Sequence, residues 1–168
     1  HDALPISRVL FSDEDMAARA FLKKRFTDLG LRVREDALGN TFARWMGRDA
    51  NLAPVATGSH IDAIPFAGRF DGTVGVLGAL EAVRALQASG FVPVRSIDII
   101  MFTAEEPTRF GIGCLGSRAL AGVLSVEALL ELRDDQGQSP DDLRLSRAFS
   151  GELSEVALAP GSYHAFIE

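Results

Sequence analysis

The segment 96–103 constrains the fold more than any other part of the chain. It is nearly all apolar, and four of its residues are Ile or Phe. Such a run is typical of a strand that is buried on both faces, and strands of this kind occur mostly in parallel sheets covered by helices. Residues 54–59 predict a second strand, and the amphipathic segment 72–89 between the two predicts a long helix. The sequence therefore predicts a strand–helix–strand unit in an α/β/α layered domain.

The N-terminal half predicts a helix followed by a hairpin. Ser12 and the three acidic residues after it are typical of a helix N-terminus, and Gly30 is typical of a helix end. The hairpin joins residues 31–35 to residues 41–46 through the turn-rich segment 36–40. The residues expected on the apolar face of the helix are Met16, Ala20, Phe21, Phe26 and Leu29.

The C-terminal half predicts shorter elements. Short helices are expected over residues 117–122 and 125–133. Ser139 followed by Pro140 indicates the start of another helix. Residues 163–168 are expected to form a further strand. The alternation of helices and strands thus continues along the whole chain.

Charge and composition argue against several classes of partner. The net charge is −6 and the basic residues are scattered, so neither a nucleic-acid surface nor a polybasic membrane surface is predicted. No apolar run approaches the ~20 residues that span a bilayer, and the first residues lack the pattern of a secretion signal. The single cysteine, Cys114, agrees with a cytoplasmic location and is expected to be a small buried apolar side chain.

One imidazole and four carboxylates lie next to the predicted strand–helix–strand unit. His60 and Asp62 follow the first strand, Asp71 precedes the helix, and Glu105 and Glu106 follow the second strand. In open α/β sheets, functional sites gather at the carboxyl ends of the strands. Imidazole nitrogen and carboxylate oxygen together are suitable ligands for zinc or manganese. The pattern therefore predicts a metal-dependent hydrolase.

Each candidate group has a chemical role that it can perform. The neutral ring of His60 can bind a metal ion while Asp62 holds its other N–H group. The carboxylate of Asp71 can bridge two cations that lie roughly 3.5–4 Å apart. Neighbouring residues in an extended chain point in opposite directions, so one of Glu105 and Glu106 can bind metal while the other takes a proton from the attacking water.

Simpler explanations exist for each of these residues when it is considered alone. A single His after a strand is usually a hydrogen-bonded polar residue, and a Glu-Glu pair is usually solvated. An Asp-Gly pair is usually a turn. Only their occurrence together after apolar strands favours a site. A phosphate-binding loop around Gly72 is not indicated because no Gly-Lys-Ser/Thr follows it, and segment 113–117 lacks the glycine spacing of a nucleophile elbow.

Four segments of the chain resemble the hydantoinase/carbamoylase family of amidases. They are Thr57-Gly-Ser-His-Ile-Asp62, Gly68-Arg-Phe-Asp-Gly72, Phe102-Thr-Ala-Glu-Glu106 and Gly116-Ser-Arg-Ala-Leu-Ala-Gly122. The family includes N-carbamoyl-L-amino-acid hydrolases, allantoate amidohydrolases and ureidoglycolate amidohydrolases, within a larger di-zinc aminoacylase and carboxypeptidase superfamily. The resemblance extends from about Ser12 to the last residue. Segment 105–118 is most similar to the ureidoglycolate branch.

The resemblance implies a role for every candidate residue. His60, Asp71 and Glu106 would be metal ligands with Asp71 bridging, Glu105 would be the general base, and Asp62 would orient His60. The implied cofactor is a pair of Zn²⁺ ions, with Mn²⁺ as the alternative. The implied reaction is hydrolysis of a linear amide or ureido C–N bond by a water that two metals activate. The implied substrates are N-carbamoyl amino acids, allantoate or ureidoglycolate.

The resemblance also implies a particular architecture and extent. It implies a three-layer α/β/α domain of the zinc-peptidase type, with a mixed, mostly parallel sheet that is incomplete at the C-terminus. Residues 12–168 would be the N-terminal part of the catalytic domain, and residues 1–11 an uncertain lead. Family chains continue with a His-Ile-Glu-Gln-Gly segment, a lid and dimerisation domain and a later metal-binding His. We therefore expect this polypeptide alone to be inactive and to bind metal weakly, and its parent to be a homodimer.

Two alternatives to a ureido or carbamoyl hydrolase remain open. The first is a peptidase or aminoacylase of the same di-zinc superfamily, against which the Gly-Arg-Phe-Asp-Gly and Gly-Ser-Arg segments argue. The second is a scaffold that keeps the fold without catalysis. The presence of both Glu105 and Glu106 argues against that scaffold.

Overall fold

A five-stranded sheet organises residues 5–168, which are the residues that the computed structural model describes. In chain order the strands are β1 (Ile6–Arg8), β2 (Arg32–Glu35), β3 (Thr41–Trp45), β4 (Val55–His60), β5 (Ala63–Ala67), β6 (Ile97–Phe102) and β7 (Ala165–Ile167). The main sheet has the order β2-β3-β6-β4-β7, while β1 and β5 form a separate antiparallel pair.

Five helices cover this sheet. They are α1 (Asp13–Asp28), α2 (Thr73–Ala88), α3 (Leu115–Leu120), α4 (Val126–Glu131) and α5 (Pro140–Ser146), followed by a 3-10 turn at Leu153–Glu155. Residues 5–168 contain no helix with the length and apolar character that crossing a membrane requires.

The predicted strand–helix–strand unit is confirmed as β4, α2 and β6. Strands β4 and β6 pair in parallel from Val55 and Ile97 to His60 and Phe102. Strand β7 also runs parallel to β4, whereas β2 with β3 and β3 with β6 are antiparallel. The sheet is therefore mixed, as predicted, with its ladders divided evenly between the two types. The parallel half contains the strand ends after which the predicted site residues lie.

Two apolar clusters on opposite faces of the sheet confirm the three-layer architecture. On one face, Ile99 and Met101 of β6 pack with residues of α1 and α2 such as Phe26 and Val83. On the other face, Ile100 belongs to a cluster with residues of α3, α4 and α5. Alternate residues of β6 thus enter different clusters, because successive side chains of a strand point to opposite faces. Each fully buried side chain of this size contributes about 1.5–3 kcal/mol.

The first helix begins and ends where the sequence predicts but buries a different face. The hydroxyl of Ser12 accepts the N–H of Asp15, and Gly30 follows the helix with a φ of 79°. The prediction that Ala20 and Phe21 face the core is wrong, since both are exposed, Phe21 by 54%. Other residues of the helix take their place in the interior.

An ion pair between Asp15 and Arg19 occupies the buried face of α1. The two side chains are almost completely buried, and Arg19 Nε donates to Asp15 Oδ2 at 2.9 Å. The guanidinium lies over the rings of Phe11 and Phe149, with centroid distances of 5.6 and 5.8 Å. Aromatic faces attract a desolvated cation. Apolar periodicity alone does not predict this face, because two of its buried residues are charged.

The remaining elements follow the sequence, apart from one strand pair. The β2–β3 hairpin, the three short helices and the last strand occur at or close to their predicted positions. The β1–β5 pair was not predicted, since three-residue β1 and the proline within β5 give no clear alternation. An N-terminal lead was predicted over residues 1–11. Its first four residues lie outside the described residues. Its later part includes β1 and the buried residues Leu10 and Phe11.

Candidate functional site

The parallel pairing of β4 and β6 brings the predicted site residues to one edge of the sheet. His60 is the last residue of β4 and lies opposite Phe102, the last residue of β6. The segments that continue from these strands carry Asp62 on one side and Glu105 on the other. Because parallel strands end at the same edge, side chains distant in sequence meet there.

His60 is almost completely buried, and its two ring nitrogens have different partners. Nδ1 lies 2.9 Å from the main-chain oxygen of Asp62. Nε2 lies 3.4 Å from Glu105 Oε2 and 3.9 Å from Asp71 Oδ1. In the neutral ring, Nδ1–H donates to the carbonyl of Asp62, which directs the lone pair of Nε2 toward the carboxylates. This is the arrangement of a metal-binding histidine whose other nitrogen is held by the protein.

The carboxylates around His60 favour the protonated imidazole when no cation is present. Burial by itself lowers the pKa of His60, but the hydrogen bonds and charge of Asp62, together with the charge of Glu105, outweigh burial and raise this pKa to about 9. A metal ligand must be a neutral imidazole. A metal ion that binds Nε2 near neutral pH therefore has to displace a proton.

Glu106 and Asp71 form the other side of the site. Burial, then the negative charges of Asp71 and Glu105 and a hydrogen bond with the Asp71 side chain, raise the pKa of Glu106. The side chain of Asp71 is 58% exposed and stands directly before α2, where the helix dipole favours a negative charge. Carboxylates that oppose each other's ionisation are stabilised by a nearby cation.

The carboxylate of Asp62 holds the main chain that carries the two glutamates. Its Oδ1 accepts the N–H of Glu105 at 3.2 Å, and its Oδ2 accepts the N–H of Glu106 at 3.0 Å. Sequence reasoning expected this carboxylate to hold His60. The carboxylate oxygen lies 3.5 Å from Nδ1, farther than the main-chain oxygen of the same residue. Asp62 therefore links the ends of β4 and β6, and holds His60 through its main-chain oxygen together with its nearby carboxylate.

Gly72 allows the loop before α2 to approach the imidazole. A Cβ atom at this position would lie 2.5 Å from Nε2 of His60, and the residue has a φ of 61°. Both the space and the conformation favour glycine. Asp71 was predicted from the sequence. The proximity of Gly72 to Nε2 of His60 is visible only in the structure.

Cys114 lies at the site, and the prediction that it is a buried apolar residue is wrong. The residue is exposed, has a φ of 58° and precedes α3. Its thiol lies 3.4 Å from Glu105 Oε1, the carboxylate oxygen that does not face His60. Partial desolvation of the sulfur by its neighbours and its hydrogen bond with Glu105 raise the pKa of Cys114, so the thiol stays protonated and donates. No motif around Cys114 in the sequence indicated this contact.

The donor set suits a metal ion but does not complete a site. Within residues 5–168, no group of three or more His, Cys, Asp or Glu side chains has an arrangement that could hold a metal ion as it stands. The contacts are pairwise, between His60 and Glu105, His60 and Asp71, and Asp71 and Glu106. One imidazole and three carboxylates offer the nitrogen and oxygen ligands that zinc and manganese accept. Two complete zinc sites would require further ligands.

A cavity of about 520 Å³ lies beside Glu105. Its walls are largely apolar and include Phe102 and Phe166, while Cys114, Ser117 and Glu168 add polar groups. A volume of this size holds a small organic molecule. Among the described residues, the lining contains no Lys or Arg, so an anionic group of a ligand would find no cationic side chain in this wall.

This chain is similar to known proteins over most of its length. Residues 40–134 match the sequence profile of Peptidase family M28. A ureidoglycolate hydrolase of Oryza sativa subsp. japonica is 53% identical over 167 residues, which are 97% of this chain and 34% of the rice protein. An N-carbamoyl-L-amino-acid amidohydrolase of Paenarthrobacter aurescens is 38% identical over 164 residues, covering 97% of this chain and 40% of that protein. The chain thus spans little more than a third of the curated relatives it matches.

Solved structures show the same relationship. The crystal structure of AtUAH in complex with (S)-hydroxyglycine superposes with a TM-score of 0.92 at 50% identity, covering 98% of this chain and 41% of that chain. A hydantoinase/carbamoylase family amidase from Burkholderia multivorans superposes with a TM-score of 0.89 at 34% identity, covering 96% of this chain and 39% of that chain. The fold, the matched profile and the named relatives all agree with the motifs at the strand ends. The chain therefore belongs to peptidase family M28 and to the hydantoinase/carbamoylase amidases.

Proposed function

We propose that this chain is the N-terminal part of the catalytic domain of a metal-dependent amidohydrolase that cleaves a linear ureido or carbamoyl C–N bond. The observation that carries the proposal is the meeting of His60, Asp71, Glu105 and Glu106 at one edge of the sheet. Ureidoglycolate is the first substrate to test, because the rice relative is named a ureidoglycolate hydrolase. The proposal concerns a protein that includes this chain, since the relatives are much longer.

His60, Asp71 and Glu106 are the proposed metal-binding residues. They present one ring nitrogen and two carboxylates, which suits a pair of Zn²⁺ ions, or Mn²⁺ as the alternative. When bound, the ions polarise the scissile carbonyl and lower the pKa of water. Asp62 keeps His60 in the required tautomer through its main-chain oxygen and keeps the two glutamates in place through its carboxylate.

Glu105 is the proposed general base. Its Oε2 faces the ring nitrogen of His60, and its Oε1 accepts the thiol proton of Cys114 in a hydrogen bond. A carboxylate in this position takes a proton from the attacking water and transfers it to the departing nitrogen, which leaves as ammonia from a terminal carbamoyl group. Glu106 faces Asp71 instead, so the two neighbouring glutamates have separate partners.

A peptidase is the second candidate function. The matched profile belongs to a peptidase family, which favours this alternative. The named relatives act on ureidoglycolate or on N-carbamoyl-L-amino acids according to their names, which favours the first proposal. Substrates from both classes therefore belong in one assay. We also propose that the longer protein is a homodimer located in the cytoplasm, and sedimentation of the purified protein would test the dimer.

A chimera tests the proposed function. This chain replaces the matching segment of the rice ureidoglycolate hydrolase. Ammonia release is measured with ureidoglycolate, allantoate and an N-carbamoyl-L-amino acid, and release of free amino acids is measured with a dipeptide. We expect turnover of ureidoglycolate. The Glu105→Gln chimera should lose about 100-fold or more in kcat, since general base catalysis contributes factors of this size. Glu131→Gln, at an exposed position on α4, serves as the matched control and should retain full activity.

Three results would contradict the proposal. A folded, zinc-loaded chimera that hydrolyses only the dipeptide would support the peptidase, and one that is inactive on all four compounds would support a scaffold. Unchanged kcat in Glu105→Gln would remove this residue from the mechanism. Separately, residues 1–168 alone are expected to be inactive, and robust turnover by them would show that no further ligands are needed.

A further inference from the structure

The turn between β2 and β3 contacts the segment that carries the two glutamates. This segment, residues 103–106, is called the glutamate turn below. Asn40 is the last residue of the β2–β3 turn, and its side chain amide reaches the start of the glutamate turn at Thr103. We propose that Asn40 is a positioning residue for Glu105 and Glu106. The inference rests on the proposed function for these two residues.

Asn40 is fully buried, and both ends of its amide are bonded. Its Oδ1 accepts the N–H of Thr103 at 2.8 Å. Its Nδ2 donates to Asp36 Oδ2 at 2.7 Å and to the main-chain oxygen of Gly116 at 3.5 Å. A buried amide with partners on both sides has one favourable orientation. The acceptor oxygen is thus held toward the glutamate turn.

Asp36 arranges the β2–β3 turn so that Asn40 reaches this position. Its Oδ1 accepts the N–H groups of Leu38 and Asn40 at 3.0 and 2.9 Å. Burial raises the pKa of Asp36 even though its hydrogen bonds with Asn40 and Leu38 oppose that shift. The turn is shielded from solvent, with Asp36 half-buried and residues 37–40 buried. The turn therefore has a role beyond reversing the chain.

The glutamate turn is held on every side by groups from other parts of the chain. Asn40 binds the N–H of Thr103, and the Asp62 carboxylate binds the N–H groups of Glu105 and Glu106. The main-chain oxygens of residues 103, 104 and 105 accept N–H groups of residues 116, 115 and 114 at 2.7–2.8 Å. Ala104 has a φ of 50°, a conformation that costs a non-glycine residue about 1 kcal/mol or more. Such a conformation persists because the surroundings determine it.

Gly116 shows how closely the segments approach each other. A Cβ atom at Gly116 would lie 2.3 Å from Asn40 Oδ1 and 2.5 Å from the main-chain oxygen of Thr103. No side chain other than hydrogen fits between these two groups. The close approach lets a single asparagine bond to the glutamate turn on one side and to α3 on the other.

Loss of the Asn40 side chain would leave the N–H of Thr103 buried without an acceptor. An unsatisfied buried donor is unfavourable, so the strained glutamate turn would relax away from the conformation that Asp62 and Asn40 impose. Glu105 and Glu106 would then move relative to His60 and Asp71. Outer groups that orient metal ligands typically contribute about 10–100-fold to metal affinity. Asn40 touches no reacting atom and acts only through the main chain of the glutamate turn.

Amide hydrogen exchange and zinc titration of the chimera with the rice ureidoglycolate hydrolase test this role. In Asn40→Ala we expect the Thr103 amide to lose protection. We also expect the amides of Glu105 and Glu106, which are bonded to Asp62 and not to Asn40, to exchange about 10-fold faster. Zinc affinity, measured by competition with a chromophoric chelator, should fall about 10-fold. Asn51→Ala, at an exposed asparagine, is the matched control and should change neither quantity.

If the amides of Glu105 and Glu106 exchange at an unchanged rate in a folded Asn40→Ala variant, the inference is overturned, whatever the stability of that variant. If Asn40→Ala does not fold, the double variant Asp36→Asn/Asn40→Asp decides, since it keeps an oxygen at position 40 that accepts the Thr103 N–H and reverses the hydrogen bond between positions 36 and 40 without placing two carboxylates together. We expect it to keep protection at Glu105 and Glu106, and loss of that protection in folded protein would overturn the inference. Zinc binding that survives His60→Ala would instead contradict the proposed metal site, and the exchange data would still decide the role of Asn40.

Discussion

The two sides of the candidate site are constructed differently. The N–H groups of the glutamate turn donate to Asp62, just after β4, and to Asn40 in the β2–β3 turn, while its main-chain oxygens accept N–H groups at the start of α3. The opposite side is the segment 68–72, called the aspartate loop here. Its main-chain oxygens accept hydrogen bonds from the first turn of α2, and its Asp71 side chain bonds to Glu106. Its Asp71 side chain is 58% exposed and its Phe70 is 71% exposed.

The fold therefore holds the two glutamates in place before a cation binds, but it does not hold Asp71 in the same way. Preorganised groups need no rearrangement when a cation binds. An exposed carboxylate on a locally bonded loop has to be ordered at that moment, which costs conformational entropy. We infer that the sheet edge provides the rigid half of the site and that the aspartate loop adjusts to the ion. The following predictions test this comparison.

The largest effect is expected from Asp62→Ala on the rigid side. Two main-chain N–H groups, those of Glu105 and Glu106, lose their acceptor, and each loss costs about 1–3 kcal/mol. The free energy of unfolding in urea should therefore fall by about 2–6 kcal/mol in metal-free protein. Asp135→Ala, at an exposed position, is the control. A loss below about 1 kcal/mol would mean that the glutamate turn is not held by Asp62 and would end the comparison.

The next largest effect is a pH dependence that belongs to His60, which lies between the two sides. Its pKa is raised to about 9 in the folded protein by Asp62 and Glu105, against 6.5 for an unperturbed histidine. The protonated form is thus stabilised on folding, and this stability is complete below pH 6.5 and lost as the pH rises through 9. Metal-free protein should lose about 3 kcal/mol over this interval.

Urea unfolding of wild type and His60→Gln between pH 6 and pH 10 measures this contribution. The difference between the two proteins is the relevant quantity, because other groups also titrate in this range. The variant should have the flatter profile. Parallel profiles for the two proteins would show that the carboxylates near Nε2 do not stabilise the imidazolium.

The smallest effect on stability is expected from Asp71→Asn in the aspartate loop. The side chain is exposed, so the free energy of unfolding should change by less than about 0.5 kcal/mol. The pKa of Glu106 should fall, because one negative charge that raises it is removed, and NMR titration of the carboxyl group measures this. Zinc affinity should nevertheless decrease about 10-fold or more. A destabilisation as large as that of Asp62→Ala would show that the loop is as rigid as the sheet edge.

Much of the fold was predictable because it depends on local patterns. The helix start at Ser12, the apolar runs of β4 and β6 and the helix between them all follow from residue order. His60, Asp71, Glu105 and Glu106 were identifiable since polar groups after buried strands are unusual and their motifs resemble a known family. Sequence patterns also predicted which edge of the sheet would carry them.

Other features depend on contacts that no local pattern encodes. Arg19 is buried in a helix that apolar periodicity oriented incorrectly, and Cys114 is turned outward toward Glu105. Asn40 was predicted only as a turn residue, although its amide binds Thr103, 63 residues away in sequence. Each of these side chains satisfies a polar group whose position depends on the packing of several elements.

The sequence by itself determined which chemical groups are present and which elements carry them, because helix and strand formation and motif spacing are properties of neighbouring residues. Only the tertiary structure decided how these groups are oriented. It assigned the carboxylate of Asp62 to the glutamate turn, the carbonyl of the same residue to His60, and the amide of Asn40 to Thr103. Buried polar groups must find partners wherever packing leaves them, and those partners come from distant parts of the chain.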